Sequence, residues 1–160
     1  MYAADPDVVR LAAWYHDAVY DPRRADNEER SAHVAESELA AAGLAVGSIA
    51  RVARLVRLTT GHDAPAGDSD GEVLCDADLA ILAAPAGDYD CYVAAVREEY
   101  GHVDWPAWRA GRGEVLTGLL DRPRLFRTTA GRAWQQAARD NLRRELTTLA
   151  GPSGDAAQPR

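Results

Sequence analysis

Apolar residues recur along this chain three and four positions apart, and nowhere do they alternate as a half-buried strand would. The first such stretch runs from Val8 to Tyr20. Asp5 can cap it and Pro6 suits its first turn, so a helix is predicted from there to about Tyr20, ending before Pro22. Val8, Val9, Leu11, Ala12, Trp14, Tyr15, Val19 and Tyr20 make it apolar nearly all the way round, the pattern of a helix buried on every side. A second helix is expected from a cap at Asp26 or Asn27, with Glu28 and Glu29 in its first turn, Ala32, Ala35, Leu39 and Ala42 on its inner face, and Gly43 closing it. A third, capped by Ser48, carries Ile49, Val52, Ala53, Val56 and Thr60 on one side. Arg51, Arg54 and Arg57 form a row on another side, expected to be a solvated face.

Residues 61–71 carry every turn signal, and a fourth helix is predicted over Glu72–Leu82, ending before Pro85. Leu74, Ala77, Ile81 and Leu82 form its apolar stripe, with Asp78 in the middle of that stripe and Asp76 on the opposite side. A fifth helix, capped near Asp88, presents Tyr89, Tyr92, Val93, Val96 and Tyr100. A sixth, from Asp104, presents Trp108, Val115, Leu116, Leu119 and Leu120, and a last one carries Trp134, Ala138, Leu142 and Leu149. The expected fold is all-α, a single-domain helical bundle of six or seven helices over residues 1–150, followed by a disordered tail at 151–160.

Composition narrows the function. With 160 residues the chain can bury a proper core, and a net charge of −7 argues against a nucleic-acid-binding surface. Its Ala, Arg and Gly bias, sparing in Lys, reflects a GC-rich coding sequence and says nothing of activity. Cys75 and Cys91 lack zinc-type spacing and read as buried thiols of a reducing compartment. No segment reaches the roughly 20 apolar residues of a membrane span, and the N-terminus lacks the pattern of a signal peptide. The expectation is a cytoplasmic protein with no nucleic-acid or membrane partner, and homo-oligomer formation stays open.

The chemistry centres on Trp14-Tyr15-His16-Asp17-Ala18-Val19-Tyr20-Asp21-Pro22, where an imidazole and a carboxylate adjoin inside an apolar run. A carboxylate buried there has to be paired, neutralised or bound to a cation. Asp17 could pair with Arg10 or Arg51; a divalent ion held by nitrogen and oxygen is the sharper alternative. Asp78 writes a second carboxylate into a core face.

The His16-Asp17 doublet, the later Ala77-Asp78-Leu79 and the run Asp26-Asn27-Glu28-Glu29-Arg30-Ser31-Ala32 together resemble the HD superfamily of metal-dependent phosphohydrolases, which are all-helical. The likeness is nearest to an uncharacterised bacterial subgroup of predicted HD-type phosphohydrolases and extends to Arg122-Pro123-Arg124-Leu125-Phe126. It implies an HD-domain-like bundle in which His16, Asp17 and Asp78 hold a divalent metal: Mn²⁺, Fe²⁺, Mg²⁺ or Zn²⁺. Asp21 or Glu28 would position or deprotonate the attacking water. His62, Arg30 and Arg112 would meet a small phosphorylated substrate, a nucleotide being one such compound. The superfamily's upstream histidine has no counterpart before His16, a gap that His33, His62 or water could fill. A non-catalytic HD-like binding or regulatory module with a degenerate metal site is the alternative reading.

Overall fold

The computed structural model describes residues 2–151, so the tail expected from 151 onward falls, but for Gly151, outside the described residues. Among these residues every regular element is helical. Seven α-helices follow in order: α1 Pro6–Tyr15, α2 Asn27–Ala41, α3 Val46–Leu58, α4 Ser69–Asp78, α5 Ala86–Glu99, α6 Trp105–Asp121 and α7 Gln135–Ala150. Short 3₁₀ stretches, Leu79–Ala83 and Gly131–Trp134, lie between α4 and α5 and before α7. The chain forms two compact units. One comprises residues 1–79 with 126–132; the other comprises 80–125 with 133–160. Among the described residues no single helix is long and apolar enough to cross a membrane.

In the first unit, Val8, Val9, Ala12 and Tyr15 of α1 pack with Ala32, Ala35 and Leu39 of α2, Val52, Ala53, Leu55 and Val56 of α3, and Leu74 of α4. Four alanines in that set let the helices approach closely, and the larger residues fill the space between them. Asp5 caps α1 by accepting from Val8 N, with Pro6 at the start of the helix as the sequence suggests. The helix ends at Tyr15, five residues short of the expected Tyr20. Side chains of α2 capture the backbone beyond it: Ser31 Oγ accepts from Val19 N and donates to Val19 O, while Asn27 bonds both the N–H and the carbonyl of Asp21. Such side-chain bonds compete with helix continuation. Nor is α1 buried on every side, since Trp14 is 81% exposed.

α2 closes as its sequence suggests. Gly43 has φ +80, Leu44 N donates to Leu39 O and Gly43 N to Ala40 O, a left-handed cap that leaves little carbonyl unsatisfied. α3 begins at Val46 rather than after Ser48, which sits inside the first turn. α4 begins at Ser69, capped by Asp68 through Gly71 N, and gives way to the 3₁₀ stretch after Asp78. That tighter pitch shifts the phase of the side chains. The expected stripe is already broken within α4, where Ala77 is exposed while Leu74, Cys75 and Asp76 are buried, and Ile81 in the 3₁₀ stretch is exposed as well.

The arginine row of α3 is not a free solvated face. Arg51 bridges Asp5 and Asp70, Arg54 forks onto Asp68, and Arg57 reaches both Glu29 and Glu36. One side of α3 thus ties down the start of α1, the start of α4 and the flank of α2.

In the second unit, Tyr89, Trp108, Leu116, Ala138 and Leu142 are buried on α5, α6 and α7. Tyr89 Oη donates to Glu145, which also receives Arg112 through Nε at 2.7 Å and Nη2 at 3.1 Å. Asn141 donates to the carbonyls of Leu82 and Ala84 and so holds the entry to α5. Cys91, expected to be buried, is exposed, while Cys75 is buried as expected.

Candidate functional site

His16 is the residue at which α1 ends. Its backbone N–H bonds Ala12 O, so its position is fixed by the helix, and its ring leaves the helix toward the end of α4. Nδ1 lies 2.8 Å from Ala13 O, an acceptor only, so Nδ1 carries a proton and donates. The other nitrogen, Nε2, then faces two carboxylates: Asp17 Oδ2 at 3.3 Å and Asp78 Oδ1 at 3.4 Å. The second oxygen of Asp78 lies 2.7 Å from Nε2 of His62. Two imidazoles and two carboxylates from α1, the turn after it, the 61–68 loop and α4 therefore come together within the first unit.

Burial alone would raise the carboxyl of Asp78, but the hydrogen bonds from His16 and His62 outweigh it and hold Asp78 well below the usual carboxylate range. The hydrogen bond to Asp78 raises the His16 imidazole to about 9 against the opposing effect of burial, with Ala13 O and Asp17 adding to the rise. Asp17 is not the buried carboxylate that the apolar run suggests: its side chain is 61% exposed, and its ring partner is His16 rather than Arg10 or Arg51. Arg10 pairs with Asp7 instead.

The spacings bear on what the cluster can hold. Neighbouring ligand atoms around an ion with bonds of about 2.1 Å stand about 3.0–3.4 Å apart. The two contacts of His16 Nε2 fall at that distance and are long for a good N–H···O bond. The His62–Asp78 contact is shorter and is that of a charge-assisted hydrogen bond. Accordingly, no group of three or more His, Cys, Asp or Glu among the described residues stands as a finished metal-holding set. The donor types are those that bind divalent cations, while His62 is bonded directly to Asp78.

The turn carrying the doublet is built by α2. Asn27 and Ser31, both buried, hold residues 19 and 21, which is the physical role of the polar run that follows the doublet in sequence. Asp21, expected to serve a water, accepts from Arg23 N through Oδ1 and shapes this turn. Glu28 is partly buried in the first turn of α2, next to Asn27. Arg30 is exposed on the same helix, and His33 pairs with Glu29. Arg112, expected at the substrate, belongs to the second unit, where burial and Glu145 fully engage its guanidinium.

Asp76, the weaker of the two α4 carboxylates in sequence, proves the more buried at 3% exposure. Its Oδ1 accepts from Arg127 N, and its Oδ2 from Thr128 N and Thr128 Oγ1. Gly131 closes the arrangement. Its N–H donates to Thr128 Oγ1, and a Cβ there would land against Asp76 Oδ2 and the Phe126 side chain. Arg127 extends from this anchor to Ala64 O and Asp63 Oδ1, the residues that follow His62. Asn27, Ser31, Asp76, Arg127 and Thr128 escape a sequence reading because they support the site through backbone contacts. For Asn27 and Ser31 the one signal is a polar side chain at a position on the inner side of α2; Asp76, Arg127 and Thr128 carry none.

Compared with models of known protein families, with curated proteins and with solved structures, the chain matches none.

Proposed function

We propose that the chain is a metal-dependent phosphohydrolase of HD type, acting on a small phosphorylated compound such as a nucleotide. One observation carries the reading: Ala13 O accepts from His16 Nδ1 and so orients the ring, and Nε2 stands at ligand-to-ligand distance from a carboxylate oxygen of Asp17 and one of Asp78. His16, Asp17 and Asp78 would hold the ion, and His62 takes the place of the upstream histidine absent before His16. A bound divalent ion (Mn²⁺, Fe²⁺, Mg²⁺ or Zn²⁺) supplies Lewis acidity, making water easier to deprotonate and offsetting charge on a phosphoryl group. The chain's own contribution is to keep Asp78 ionised at neutral pH and to present both imidazoles from fixed backbone. The carboxylate of Asp21 or of Glu28 would accept the proton of the water, and Arg30 is a solvent-facing cation on α2 that would meet the phosphate.

The test is bound metal per chain, by elemental analysis of protein purified without chelator. One transition metal per chain is expected, lost in Asp78→Ala and His16→Ala with helicity intact, and with it the turnover of phosphate esters. Full phosphatase activity in those variants would overturn the reading.

The second reading, a non-catalytic HD-like module that binds a phosphorylated ligand, is favoured by the direct His62–Asp78 bond, which engages Asp78 Oδ2 without an ion. It predicts a ligand that raises the melting temperature and is not consumed, in protein that takes up no Mn²⁺.

A further inference from the structure

The cluster has a support that enters from far along the chain. Residues 126–132 belong to the first unit although the intervening 80–125 do not, and the return is fastened at one point: the buried carboxylate of Asp76. That carboxylate takes three donors from Arg127 and Thr128, at 2.8, 2.9 and 2.7 Å. Gly131 lets the segment close over it, since any side chain there would strike Asp76. The backbone of Arg127 is thereby fixed relative to α4, two residues before Asp78.

From this fixed point the Arg127 guanidinium reaches across to the loop after α3. It donates to the carbonyl of Ala64, which is buried, and to Asp63, which is exposed. These are the two residues that follow His62. His62 itself has φ +51, among the described residues the one non-glycine position in the left-handed region. A non-glycine residue adopts that conformation only when its surroundings impose it. The chain here closes a ring: Asp76 to Arg127, Arg127 to Ala64 and Asp63, His62 to Asp78, and along α4 back to Asp76.

We propose that Arg127 is a positioning residue that sets the His62 imidazole against Asp78, with residues 126–132 as its latch. Arg127 touches neither Asp78 nor any ligand of the cluster and acts through His62. A planar guanidinium suits the task because two of its N–H groups meet two acceptors in a fixed fork, a geometry that a rotating ammonium does not impose. The bearing of this latch on catalysis rests on the metal reading above, but the geometry of the His62 ring is testable without it.

The experiment uses the full chain with ¹⁵N-labelled histidine and reads the ring nitrogens, then titrates Mn²⁺. In Arg127→Ala the Nε2 resonance of His62 is expected to move while those of His33 and His102 stay in place. Asp63→Asn, at a position 87% exposed, gives a smaller shift in the same direction and decides the matter if Arg127→Ala does not fold. Mn²⁺ affinity falls about tenfold or more in Arg127→Ala, the usual cost of losing an outer support of a metal ligand, and Arg127→Lys recovers part of it. In a His62→Ala background the Arg127→Ala change adds less than about twofold, since a residue that acts through another has nothing left to position. An unmoved His62 resonance in both Arg127→Ala and Asp63→Asn overturns the latch. If the wild-type chain takes up no Mn²⁺, the metal reading fails on its own, and the ring spectrum still decides the role of Arg127.

Discussion

Two residues apart at the end of α4, Asp76 gives both of its oxygens to donors at 127 and 128, whereas Asp78 gives its oxygens to two imidazoles. Their consequences for stability and for binding should therefore separate. Removing the Asp76 carboxylate orphans two backbone N–H groups and a hydroxyl in a buried place, so Asp76→Ala is expected to lower the unfolding free energy by about 3 kcal/mol in urea titration. Asp78→Ala should leave the melting curve much closer to wild type while removing bound metal. Equal destabilisation by the two would mean that Asp78 is part of the framework rather than of a site. The helical period places Asp78 in the apolar stripe and Asp76 outside it, and this order is inverted because residues 126–132 cover Asp76. Nothing in the residues Leu79 to Ala83 announces the 3₁₀ stretch that follows α4. The approach of residues 126–132, with some fifty residues intervening, is equally silent in local pattern.

Among the elements, those governed by local chemistry are the legible ones. Asp5 and Pro6 open α1, Gly43 closes α2, and Asp104 caps α6 through Ala107 N. The boundary that matters most for the site, the end of α1, was the least legible, because the bonds that end it come from α2. Ser31 and Asn27 are polar residues at buried positions, and their partners are main-chain groups of the turn that follows the doublet. A consequence follows for local dynamics. Ser31→Ala leaves Val19 N–H without its acceptor, so the exchange of that amide with solvent should speed up by about tenfold, equivalent to about one hydrogen bond. The amides in the middle of α2 and α3 should exchange as before. Hydrogen exchange followed residue by residue checks this. An unchanged Val19 amide would mean that the turn is held by the apolar contacts of α1 alone, and that the direction of the His16 ring does not depend on α2.

Over the whole molecule the net charge of −7 conceals how the cations are spent. All eighteen basic residues are arginine, and in the first unit Arg51, Arg54 and Arg57 each bind carboxylates that belong to other elements. The period of the row was readable from the sequence; its partners were not, since Asp5, Glu29, Glu36, Asp68 and Asp70 come from three separate stretches. These pairs make the first unit sensitive to acid. Arg54 holds the Asp68 carboxyl below its ordinary value of 3.8, with burial opposing and Gly71 N–H assisting. Arg57 does the same for Glu29, and the Val8 N–H, followed by Arg51, does so for Asp5. A carboxyl lowered in the folded state contributes stability that is complete above its unfolded value, near pH 4, and is lost as pH falls through the lower folded value. Helicity followed by circular dichroism in mild urea should therefore hold from pH 7 to about 5 and decline below about 4. Asp68→Asn, which cannot titrate, should be less stable at neutral pH and should show a shallower decline, the two curves converging at low pH. Because Arg54 is 48% exposed, added salt should narrow the difference between the two proteins at neutral pH. Parallel curves for Asp68→Asn and the wild type across the acid range would show that the Arg54 clamp contributes nothing to folding.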